Sequence, residues 1–235
     1  MTRAVLFDLD DTLFDHRSSS AEALRRVQRA HDCFRDVPFA EFERHHSRLL
    51  EEMHFSVVSG RLDMDEARRE RFRRLFESVG ASAGPDVCAA AASAYRSEYL
   101  ASRRAMEGAE ALLRAVREHA PVAIVSNNML QEQKEKLEFC RLATHVDVLV
   151  VSEEAGVSKP EPEIFWIALN ALRVGAEDAV MVGDSWDADV IGARRCGMRA
   201  IWFNPLRLPS PEPEYGVPEL HAFVPTAAAL KLVMN

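Results

Sequence analysis

The chain repeats one device: a short apolar run, then a polar or acidic residue, then a stretch whose apolar positions recur at helical spacing. The runs are Ala4 to Phe7, Val122 to Val125, Val146 to Val151, Ala179 to Val182 and Ala200 to Phe203. Around the later runs lie helical stretches at Ala109 to Glu118, Leu130 to Phe139, Pro162 to Leu172 and Asp187 to Arg195. Strands with no polar alternation have no face to give to water, so both faces must be covered. Alternation of such strands with helices predicts an α/β chain with a Rossmann-like parallel sheet. A proline-rich tail, Asn204 to Pro218, precedes an expected short strand around Ala222 to Val224 and a terminal helix.

Between the first run and the rest the pattern is different. Arg17 to Arg103 reads as helix throughout, in segments Ser19 to His31, Phe39 to Val58, Asp63 to Val79 and Asp86 to Ser102. The breaks fall at Asp36-Val37-Pro38, Ser59-Gly60 and Gly80 to Pro85. An inserted α-helical cap over residues 16–103 is therefore expected, with a main domain built from 1–15 and 104–235. The cap core is expected from Phe42, Leu49, Leu50, Phe72, Leu75, Phe76, Tyr95 and Tyr99.

Parallel sheets bind ligands at the carboxyl ends of their strands. Here those ends carry Asp8 and Asp10, then Ser126-Asn127-Asn128, then Ser152 leading to Lys159-Pro160, then Gly183-Asp184 with Asp189 beyond. Carboxylates at i and i+2 project to one side of a strand, and their repulsion calls for a cation or a proton between them. Oxygens of Asp8 and Asp184, with a carbonyl and waters, suit magnesium. The Ser126 hydroxyl, loop N–H groups and Lys159 suit the oxygens of a phosphoryl group. Asp10, held near a second acid, is expected to keep a proton for a leaving alkoxide. The inventory fits a small phosphorylated metabolite bound with Mg2+.

A formal charge of −8 argues against a nucleic acid polymer as partner. The opening MTRAVLFDL lacks a signal-peptide run, and no stretch approaches the ~20 apolar residues of a membrane span, so a cytoplasmic protein with no membrane partner is expected. Cys33, Cys88, Cys140 and Cys196 form no CxxC spacing and read as buried, reduced thiols.

Taken together, Asp8-Leu9-Asp10-Asp11-Thr12, Ser126-Asn127, Lys159-Pro160 and Gly183-Asp184-Ser185 through Asp189 resemble the four motifs of the haloacid dehalogenase superfamily, in its phosphatase branch. The resemblance implies Asp8 as nucleophile and Asp10 as general acid and then base, with Ser126, Asn127 (through nearby N–H groups) and Lys159 holding the phosphoryl group. It implies magnesium on Asp8, the Asp10 carbonyl and Asp184, supported by Asp189 directly or through water. Phe7 to Phe14, Arg68 to Leu75, Ser158 to Phe165 and Gly192 to Pro205 are most similar to pyrimidine 5′-nucleotidases and N-acylneuraminate-9-phosphatases. Nucleoside 5′-monophosphates are thus the favoured substrates, with N-acylneuraminate 9-phosphate or sugar phosphates as alternatives. A haloacid dehalogenase is a weaker reading, since Asp10 and the Asp184 motif serve metal and phosphoryl chemistry. A phosphoglucomutase-like transferase is told apart by isomerising a sugar phosphate in place of releasing phosphate. A partner-binding module would be expected to lose one of Asp8, Asp10, Lys159 or Asp184, none of which is lost.

Other features are assigned plain roles. Arg68, Arg69, Arg71, Arg73 and Arg74 are interleaved with Asp65, Glu66 and Glu70, as on a solvated helix. His45-His46 reads as surface or packing, Asp187 as a helix cap, and Asp15-His16 as the entry to the cap.

Overall fold

The computed structural model describes residues 2–235, apart from the side chain of Phe55. Strand β1 (Ala4–Phe7) is followed by four helices, α1 (His16–Ala30), α2 (Phe39–Val58), α3 (Met64–Glu77) and α4 (Pro85–Ala101). Then come α5 (Ala109–Arg117), β2 (Val122–Ser126), α6 (Leu130–Phe139), β3 (Val148–Val151), α7 (Ser152–Ala155), α8 (Pro162–Leu172) and β4 (Ala179–Gly183). The chain closes with α9 (Gly192–Arg195), β5 (Arg199–Phe203), β6 (Glu219–Leu220) and α10 (Thr226–Met234). Two compact units result, one from residues 1–15 with 104–235 and one from 16–103.

In the first unit all six strands are parallel, in the order β3-β2-β1-β4-β5-β6. Val5 stands opposite Val122 on one side and Val180 on the other, so β1 is central and every one of its residues is fully buried. Ile164, Phe165, Val190 and Trp202 pack on one face of this sheet. From β1 the chain runs outward through β2 to β3 and then crosses back to β4 on the other side of β1, and this reversal opens a crevice at the carboxyl ends of β1 and β4.

Three local expectations are corrected. The third strand starts at Val148 and not at Val146, because Asp147 turns the chain: its carboxylate accepts from the N–H of Val122 at 2.9 Å and pairs with Arg117. The final strand is Glu219–Leu220, paired with Trp202 and Phe203, and not Ala222 to Val224. That apolar run is spent on packing, with the Phe223 ring stacked on Phe203 at 4.4 Å. Of the cysteines only Cys88 is buried, and Cys33 is exposed, since the turn Asp32–Phe34 buries Phe34 in its place.

In the second unit Phe34 meets Phe42 and Phe76 at 4.6 and 4.8 Å, and Phe72 lies 5.6 Å from Tyr95. The expected core residues are buried except Leu50, which is half-buried. Asp63 caps α3 by accepting from the N–H groups of Asp65 and Glu66. Arg68 pairs with Asp65, Arg73 with Glu70 and Glu77, and Arg74 with Glu70 and Glu52, as surface pairs do. Arg71 departs from the solvated pattern: it is buried, with its guanidinium 6.0 Å from the Tyr95 ring.

His46 is fully buried between Phe72 and Tyr95, and neither ring nitrogen has a partner. Burial holds the imidazole well below its usual range, and the charges of Arg71 and His16 push in the same direction. With the folded value depressed, only the unfolded chain takes up this proton as pH falls below about 6.5, so stability is lost in that window. His46→Leu removes the uptake and two unpaired polar atoms. Its thermal midpoint is expected to match or exceed wild type at pH 7.5, with a larger advantage at pH 5. An equal or lower midpoint at pH 5 would contradict this assignment.

Among the described residues no helix is long and apolar enough to cross a membrane.

Candidate active site

The crevice beside β1 gathers the residues read from the strand ends. Asp8 follows β1 directly and its N–H donates to the Val182 carbonyl at 2.9 Å, which continues the sheet for one residue. The chain then turns sharply: Leu13 and Phe14 donate to the Leu9 carbonyl at 2.9 and 2.8 Å, and Asp11 takes a left-handed φ of 62°. Asp and Asn tolerate that conformation better than most residues. The turn presents the Thr12 hydroxyl to Asp184, whose N–H donates to it at 3.0 Å. Asp15 lies where the chain leaves this unit, paired with Arg104 at 2.9 Å.

Lys159 is the hub. Its ammonium contacts Asp8 Oδ1 at 2.6 Å, Asp189 Oδ1 at 2.7 Å and the Val125 carbonyl at 2.7 Å. Burial disfavours its charge, but Asp189 and Asp8 outweigh burial and hold it above its usual value. Asn127 fixes the lysine's backbone from both sides: its amide donates to the Lys159 carbonyl at 2.8 Å and its oxygen accepts from the Lys159 N–H at 2.7 Å.

Asp189 sits on a π-helical turn, Trp186–Ile191, where a regular helix had been expected from Asp187. Ser185 caps this turn in place of Asp187, accepting from Ala188. The wider turn carries Asp189 back over the end of β4, where its Oδ2 accepts from the Ser185 N–H at 3.0 Å. Only glycine fits beneath it: a Cβ at Gly183 would lie 2.2–2.6 Å from the Asp189 carboxylate and Cβ.

Carboxylate oxygens of Asp8, Asp184 and Asp189 lie within 4.8 Å of one another. Burial is the largest cause that raises Asp8 to about 7, with Lys159 opposing and Asp189 and Asp10 adding to it. Burial likewise raises Asp184 to about 8, with the charges of Asp8, Asp189 and Asp11 adding. A lone lysine does not neutralise three acids. The donor set, hard oxygens with no sulfur or imidazole, fits a divalent cation such as magnesium.

Asp10, expected beside a second acid, is also met by three donors. Its Oδ2 accepts from Asn128 Nδ2 at 3.1 Å and Gln133 Nε2 at 2.9 Å, and its Oδ1 from the Lys136 ammonium at 2.5 Å. Ser126 Oγ in turn accepts from Gln133 Nε2 at 2.5 Å. Gln133 and Lys136 were not read from the sequence, although one signal was there. On α6 Gln133 precedes Leu137 by one turn and takes a core-facing slot where an apolar residue belongs.

A family model described as haloacid dehalogenase-like hydrolase matches residues 2–197. Ribulose-1,5-bisphosphate 5-phosphatase of Halopiger xanaduensis is 33% identical over 210 residues, covering 87% of this chain and 86% of that protein. Pyrimidine 5′-nucleotidase YjjG of Escherichia coli is 36% identical over 122 residues, 49% of this chain and 53% of that protein. The magnesium-bound structure of the HAD-hydrolase YfnB of Bacillus subtilis superposes with a TM-score of 0.76 at 24% identity, covering 98% of this chain and 99% of that one.

Proposed function

This chain belongs to the haloacid dehalogenase-like hydrolases, and from that membership we propose that it is a magnesium-dependent phosphatase of small phosphate monoesters, working through an aspartyl-phosphate at Asp8. The observation that carries this reading is the union of Asp8, Lys159 and two further buried or half-buried acids at one strand end. In the first half-reaction an Asp8 oxygen forms a bond to phosphorus as the bond to the leaving oxygen breaks, and Asp10 gives that oxygen its proton. In the second, Asp10 as carboxylate takes a proton from water, which attacks phosphorus and frees Asp8. Lys159, the Ser126 hydroxyl and N–H groups near Asn127 hold the other phosphoryl oxygens. Asp8, Asp184 and the Asp10 carbonyl would hold magnesium, with Asp189 behind them, and the ion would shield the phosphate from an anionic nucleophile.

Leaving-group choice we assign to the helical unit of residues 16–103, since the crevice described above accounts only for the phosphoryl end. The partial likeness to YjjG supports nucleoside 5′-monophosphates. The longer match to a ribulose bisphosphate phosphatase favours sugar phosphates as the second reading.

A phosphate-release screen over nucleoside monophosphates, sugar phosphates and N-acylneuraminate 9-phosphate, with magnesium and with chelator, tests both. Turnover is expected only with magnesium. Selective release from pyrimidine monophosphates supports the first reading, and selective release from sugar phosphates replaces it with the second. Chloride release from 2-chloropropionate without metal would overturn the phosphatase assignment.

A further inference from the structure

Asp8 and Asp10 each meet a different buried ammonium. Asp8 has Lys159, and Asp10 has Lys136, whose ammonium is 2.5 Å from Oδ1 and whose side chain is almost fully buried. Burying an ammonium is costly unless it is paired, and among the described residues the acid paired with Lys136 is Asp10. One turn earlier on α6, the fully buried Gln133 gives one amide nitrogen to both Asp10 Oδ2 and Ser126 Oγ. The Phe14 ring, 5.2 Å from the Lys136 nitrogen, covers the pair.

We propose that Gln133 and Lys136 are positioning residues that fix the Asp10 carboxyl for proton delivery to the leaving oxygen. With Lys136 on one site of Oδ1 and the amides of Asn128 and Gln133 on Oδ2, the plane of the carboxyl is set by α6 and the loop before it, and the remaining site on Oδ1 is the one left to carry the proton. Gln133 adds a second effect. Filling an acceptor site on Ser126 Oγ leaves that hydroxyl's own proton to donate to a phosphoryl oxygen. The proton donor and the phosphoryl binder are thereby tied to one side chain.

This inference rests on the phosphatase reading, and leaving-group dependence separates the two. Proton delivery matters for an alkyl phosphate, whose alkoxide leaves poorly, and little for 4-nitrophenyl phosphate, whose phenolate leaves unaided. Kinetics of wild type, Lys136→Met, Gln133→Leu and Asp10→Asn are compared on 4-nitrophenyl phosphate and glycerol phosphate. Lys136→Met is expected to lower kcat on glycerol phosphate by about 10- to 100-fold with KM little changed, the scale of a misplaced catalytic group. On 4-nitrophenyl phosphate its kcat should fall less than about three-fold, with Asp10→Asn showing the same bias more strongly. Gln133→Leu repeats the bias and also raises KM for both esters, because Ser126 is freed. Met and Leu both keep the helix, and Gln133→Leu carries the test if Lys136→Met melts below the assay temperature. Equal losses on both esters, or no loss on either, would overturn the positioning role while leaving the phosphatase reading intact. No phosphate release by wild type from either ester would overturn both.

Discussion

Asp8→Asn is expected to lower phosphate release by at least about 10³-fold, because the amide keeps the size of the side chain and removes its nucleophilic oxygen anion. The measurement is steady-state release at saturating magnesium. Acid-quenched wild type should carry a phosphoryl adduct on the peptide that contains Asp8, and the variant none. Lys159 adds a reason for a steep loss: its ammonium is shared between Asp8 and Asp189, and without the Asp8 charge it is drawn toward Asp189 and away from the phosphoryl position. A variant that turns over at the wild-type rate would remove Asp8 from the mechanism.

The second large effect is on stability and depends on pH. Asp8 at about 7 and Asp184 at about 8 both stand above the ordinary carboxylate value of 3.8. A raised folded value means that these groups favour the fold while protonated, and that this contribution is lost as pH rises through the folded values. Without magnesium, then, the two acids should cost stability progressively between about pH 4 and pH 8. Magnesium binds the ionised form, so the rise in melting temperature on adding it should be larger at pH 8 than at pH 5. Asp184→Asn should melt higher than wild type in chelator at pH 8 and respond less to magnesium. For a chain of this length each kcal/mol is read as about 2–4 °C. His46 acts in the opposite direction at low pH, which makes the difference with and without magnesium the clean readout. A magnesium response that is equal at the two pH values would contradict the linkage.

What could be read in advance followed from how few ways a chain can satisfy its backbone. Runs such as Val122 to Val125 and Ala179 to Val182 have no polar face, so a parallel sheet with helices on both sides was legible, as were the polar residues at its carboxyl edge. The helical stretch between Arg17 and Arg103 was legible for the complementary reason, unbroken helical spacing. Less visible was everything decided by pairing across the fold. Glu219–Leu220 is a strand only because Trp202 and Phe203 offer an edge to it. The π-helical turn at Trp186–Ile191 brings Asp189 over Gly183, and no local pattern announces that widening. Lys136 reads as one more charge on a polar helix until Asp10 is placed opposite it.

The place of β1 in the sheet bears on how the protein is made. This strand is synthesised before both of its neighbours, β2 and β4, which begin only at Val122 and Ala179. During synthesis the Asp8 segment has no sheet to join while the helical unit of residues 16–103 emerges. A nascent chain truncated before Ala179 therefore lacks Asp184 and Asp189 and leaves one side of β1 open. Such a fragment presents an open edge of a fully apolar strand, which needs cover until β4 is made.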